Sequence, residues 1–132
     1  MTGATVISGG RRKAYRPLSP DVRAAAFEAG LAAYAAGDFF AAHEHWEPAW
    51  MGTADAPERD LYSGLIKLAA AHVHAVRGNP AGYAKNLAGA RERLRAARDG
   101  GAGRIDLDRL LGDIEPRARG AAAPPAIRRL GG

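Results

Sequence analysis

The chain has 132 residues, enough for one domain with a real core and too few for two. It has no cysteine, which excludes disulfides and thiolate metal sites. Its formal charge is +5, but Arg11, Arg12, Lys13, Arg16, Arg117, Arg119, Arg128 and Arg129 sit in two arms without acids; setting those eight aside leaves 11 basic against 14 acidic residues, a body of about −3 that does not suit a specific nucleic-acid face.

Residues 1–18 read as a flexible basic arm and 117–132 as a disordered basic tail, with one helical domain over 19–116 between them. The first ten residues lack the basic and apolar blocks of a secretory signal, and no stretch approaches the ~20 apolar residues of a membrane span, so a cytoplasmic protein with no membrane contact is expected. Ser19-Pro20-Asp21 starts the first helix, with Ser as cap and Pro in the first turn. Ala24, Phe27, Leu31 and Tyr34 repeat at helical spacing, and Gly37 ends the helix.

Asp38 caps a second helix that holds both tryptophans and two of the four histidines. At 100° per residue, Phe39, His43, Trp46, Glu47 and Trp50 share an arc of about a third of the circle. That arc must face inward, yet it carries an imidazole and a carboxylate one turn apart. Pro48 removes a backbone donor and predicts a kink near Glu44–Pro48. Asp55-Ala-Pro-Glu58 has capping-box spacing and opens a third helix that runs to about Arg77. Leu61, Leu65, Leu68, His72 and Val76 form one stripe of it; Ser63, Lys67, Ala70 and His74 form another. A helix so apolar on most sides is central.

Asn79-Pro80 starts a fourth helix that buries Tyr83, Leu87, Ala90 and Leu94; after Gly100-Gly-Ala-Gly103 a short fifth helix ends at Pro116. No strand pattern is evident. The expected fold is all-α, an up-and-down bundle of about five helices.

Two blocks carry a family resemblance. Gly37-Asp-Phe-Phe-Ala-Ala-His43-Glu44-x-x-Glu47-x-x-Trp50 resembles the His-x-x-x-Glu-x-x-Trp signature of the bacterial and archaeal domain-of-unknown-function family three hundred and nine. Gly64-Leu-Ile-Lys-Leu-Ala-Ala-Ala71, continuing through His74 to Arg77-Gly78-Asn79, resembles a second block of that family. The resemblance implies an all-helical fold, an uncharacterised function and a conjectured metal site, and carries over His43, Glu44, Glu47, Trp50 and His74. Two departures stand out: Lys67 replaces a usual glutamine, and Pro48 interrupts a usually continuous helix.

Several readings of the constellation stay open. A divalent metal such as zinc could take His43 and Glu47 at i, i+4, with His74 or His72 as a third ligand. A small-ligand or protein-partner module could use Phe39, Glu44, Trp50 and Lys67 as binding residues. His43 oriented by Glu47 could serve as the acid–base group of a hydrolase. A buried His43–Glu47–Lys67 network could lock two helices together with no chemistry at all. Whether the protein is an enzyme, and its oligomeric state, are not legible here.

Overall fold

A computed structural model describes residues 5–8, 11–14, 17–118 and 123–129. Five helices form an all-α bundle: α1 (Pro20–Ala35), α2 (Phe39–Met51), α3 (Ala56–Val76), α4 (Pro80–Asp99) and α5 (Leu107–Arg117). Each starts at a side-chain cap. Ser19, Asp38, Asp55, Asn79 and Asp106 accept hydrogen bonds from the free backbone N–H groups of their first turns. Gly37, with φ of 82°, and Gly78, with φ of 72°, supply the left-handed residues that end α1 and α3.

Successive helices pack on one another, α1 on α2, α2 on α3, α3 on α4 and α4 on α5, as short connections dictate. The central element is α3, which buries more residues than any other helix. Leu61, Tyr62, Leu65 and Leu68 are its largest apolar contributions. It meets α4 at Gly64, where an added Cβ would lie 2.6 Å from Leu94. The joint between α1 and α2 is equally close: Trp46 lies over Gly30, and its Nε1 donates to the Phe27 carbonyl at 3.1 Å. Among the described residues no helix is long and apolar enough to cross a membrane.

Four details differ from the sequence reading. The N-terminal arm contains two short strands, β1 (Thr5–Ser8) and β2 (Arg11–Ala14), paired antiparallel with Ser8 opposite Arg11. Thr5-Val-Ile is β-branched, a composition that suits a strand. Helix α2 continues through Pro48 to Met51. Pro48 and Glu44 are both exposed, so the carbonyl that loses its donor lies on the water-facing side. Helix α5 likewise runs one residue past Pro116.

The fourth difference is the tail, expected to be disordered. Residues 123–129 lie against the bundle as an extended segment. The Tyr34 hydroxyl donates to the Pro125 carbonyl at 2.8 Å, and Asp106 N–H donates to the Arg128 carbonyl at 2.7 Å. Pro125 is buried, Ile127 packs on the core, and Arg129 pairs with Glu28 of α1. An extended strap held by single anchors has no helical period, so periodicity could not reveal it. The remaining parts of both basic arms lie outside the described residues.

The strap gives a stability prediction. Ending the chain at Ala118 should cost on the order of 1–3 kcal/mol in urea unfolding, because the Tyr34 hydroxyl loses its buried acceptor. Tyr34→Phe in the full chain should cost about 1 kcal/mol. Unchanged midpoints for both would show that the docked strap adds nothing.

Candidate functional site

The conserved geometry of an antiparallel helix pair sets which side chains can meet. Along α2, His43, Glu47 and Trp50 follow at four- and three-residue spacing and so share one face. Along α3, Ser63, Lys67 and Ala70 do the same. The two faces, with Ile66 and with Asn86 of α4, line a cleft of about 220 Å³. The arrangement expected for His43, Glu47, Trp50 and Lys67 is therefore assembled.

The cleft is open. The His43 and Glu47 side chains are 31% and 34% exposed, and His43 Nε2 lies 3.9 Å from Glu47 Oε2. A pair about one-third exposed at that distance is a weak one. The other ring nitrogen, His43 Nδ1, is buried and has no hydrogen-bond partner among the described residues. Trp50 is buried and forms a wall, whereas Trp46 is core. Lys67 reaches the cleft by laying its stem across α4: a Cβ at Gly89 would lie 3.0 Å from Lys67 Cδ. Lys67 forms no ion pair with any of the described residues, so the expected His43–Glu47–Lys67 network is not a closed, buried one. Asn86, which also lines the cleft, donates its Nδ2 to the Gly82 carbonyl at 2.9 Å.

His74 stands elsewhere. It lines a neighbouring cleft of about 160 Å³ with Phe40, His43, Ala70, Val73 and Arg77. Asn79 Oδ1 accepts from Gly82 N–H, so its amide nitrogen is left to donate to His74 Nδ1 at 3.1 Å. Among the described residues no group of three or more His, Cys, Asp or Glu side chains is placed to hold a metal ion. The set His43, Glu47 and His74 is not such a group: His43 lines both clefts, Glu47 only the first and His74 only the second. Glu44 and His45 are exposed, and Glu44 lies outside the cleft. Phe39 packs instead on Tyr34 and His72, with ring centroids 5.3 Å from each.

His72, the alternative third ligand, is 2% exposed and enclosed by the rings of Tyr34, Phe39 and Tyr83. Its Nε2 has no partner among the described residues. The clue lay in the sequence: His72 continues the Leu61–Leu65–Leu68 stripe, a place for a core side chain. Asn86 left no comparable signal, being one polar residue on a polar helix.

Residues 27–87 match the model of a family described as a domain of unknown function, DUF309. The chain carries a DUF309 domain. The matched stretch runs from the Phe27 carbonyl that receives Trp46 to Leu87 of α4. Every side chain lining the cleft, His43 through Asn86, falls inside the DUF309 match. Helix α5 and the strap fall outside it. Comparisons with curated proteins and with solved structures find no match.

The caged histidine within the DUF309 match predicts a pH dependence. Burial, helped by the charge of Arg117, lowers the His72 pKa from 6.5 to about 4. Between those values the unfolded chain binds a proton that the folded protein does not, so stability falls as pH drops from about 6.5 to about 4. Above 6.5 the ring is neutral in both states and contributes no pH dependence. His72→Leu should flatten the urea midpoint over this window, by on the order of 2–3 kcal/mol at its acid end. Equal acid sensitivity in wild type and variant would assign the effect to other groups.

Proposed function

We propose that the cleft between α2, α3 and α4 binds a small molecule carrying an anionic group, with Lys67 as its counter-charge. The observation that carries this reading is Lys67 itself, a cation that lines a cleft and forms no ion pair among the described residues. An ammonium so placed gains most from an anion that enters the cleft. Ser63 and the Asn86 amide add hydrogen-bonding capacity beside it, and Trp50 supplies an apolar wall. A few polar groups converging on a wall of this kind are typical of small-ligand sites. A metal reading has less support, since among the described residues no three His, Cys, Asp or Glu side chains are grouped to hold an ion.

The test uses Lys67→Met, which keeps the stem over Gly89 and removes the charge. Inorganic phosphate, acetate and succinate serve as probes in thermal-shift and calorimetric titrations at constant ionic strength. At least one should raise the wild-type melting temperature in a saturable manner. The variant should keep the unliganded stability within about 1 kcal/mol and bind at least tenfold more weakly. No saturable response to any probe, or equal binding by Lys67→Met, would refute the assignment.

A further inference from the structure

We infer that the ligand is amphipathic, a carboxylate whose apolar chain runs from Lys67 past Ala70 to Phe40 and Val73. The inference rests on the reading of Lys67 as an anion anchor and extends it to the rest of the groove. Two clefts, of about 220 and 160 Å³, share the residues His43 and Ala70. Helices α2 and α3 pack on each other across a short connection, which sets them antiparallel. Glu47 and Trp50 accordingly line the same cleft as Ser63 and Lys67, whereas Phe40 lines the cleft of Val73 and His74. Ser63, Lys67, Ala70 and His74 recur at four- and three-residue steps along one ridge of α3. From Ser63 to His74 that ridge is about 16 Å long.

The chemistry changes along this ridge. The Lys67 end presents an ammonium, a hydroxyl and an amide, with the Glu47 carboxylate on the facing helix. The middle carries the methyl group of Ala70 and the His43 imidazole. The far end presents Val73 and Phe40, and Phe40 is 59% exposed, among the most exposed large apolar side chains described. His74 is committed there to Asn79, and Arg77 is exposed where a chain would leave the groove. A small polar ligand would leave Phe40 and Val73 in water. A wholly apolar ligand would gain nothing from Lys67. A head-and-chain molecule uses both ends, since covering apolar surface is favourable in proportion to its area.

Calorimetric titration with sodium acetate, hexanoate and decanoate at fixed ionic strength tests this on four full-length chains: wild type, Phe40→Ala, Ala70→Leu and Lys67→Met. Full burial of one methylene corresponds to roughly fourfold in affinity. The wild type should therefore gain at least tenfold from acetate to decanoate, even with a half-open groove. Ala70→Leu and Phe40→Ala should flatten that gain, Phe40→Ala should leave acetate binding unchanged, and Lys67→Met should weaken all three ligands alike. Phe40 is largely exposed, so its variant keeps the test valid should Ala70→Leu fold poorly. Affinity that depends on Lys67 but not on chain length would overturn the amphipathic ligand and leave the anion site standing. A chain-length gain untouched by Phe40→Ala would also overturn it, as non-specific adsorption. No binding of any carboxylate, acetate included, would overturn the inference; if phosphate then still binds through Lys67, the anion site survives without it.

Discussion

The burial of α3 on most of its circumference is the constraint on which the molecule depends. Leu61, Leu65 and Leu68 leave one side of the helix, and Tyr62, Ala69 and Gly64 close much of the rest. Such a helix has no wide face to give to water, so its neighbours must surround it. The polar groups it does carry are then forced to the seams between those neighbours. Lys67 lies at the seam with α4, His74 at the seam with α2, and His72 under the rings of α1, α2 and α4. A cleft lined from three helices is a consequence of this arrangement, not an addition to it.

Lys67 shows how the fold accommodates a charge on such an element. Full burial of an unpaired ammonium would be very costly. The side chain instead lays its methylenes over Gly89, where a missing Cβ leaves a channel, and its charged end reaches the cleft. His72 follows the opposite solution. It has no route to water, and the low pKa that burial imposes keeps it an uncharged ring among aromatic rings.

Helix boundaries were legible because caps are local: Ser19, Asp38, Asp55, Asn79 and Asp106 act on residues two or three positions away. The meeting of His43, Glu47, Trp50 and Lys67 was legible because each belongs to a recognisable helix face. His74 lines the neighbouring cleft with His43, and not the cleft of Glu47 and Lys67, for a simple geometric reason. Lys67 and His74 share a face of α3 but stand seven residues, about 10 Å, apart along it. Direction around a helix was read correctly, and distance along it was neglected. The strap is a harder case. The acceptor for Tyr34 lies 91 residues away in sequence, and no local pattern joins the two.

Two polar clusters on α3 and its neighbours differ in what they join among the described residues. Glu58 of α3 accepts from Arg23 of α1 at 3.3 Å and from the buried Tyr62 hydroxyl at 3.1 Å, with Arg104 from the α4–α5 connection 3.7 Å away. Arg104 also lies over the Phe27 ring, 5.2 Å from its centroid. That cluster ties three parts of the chain together and so has an evident structural role. The His43–Glu47 pair joins two residues of a single helix, both about one-third exposed, and such a pair adds only a few tenths of a kcal/mol. Lys67, across the cleft, forms no ion pair among the described residues, and on the proposed reading an anion entering the cleft would supply its counter-charge.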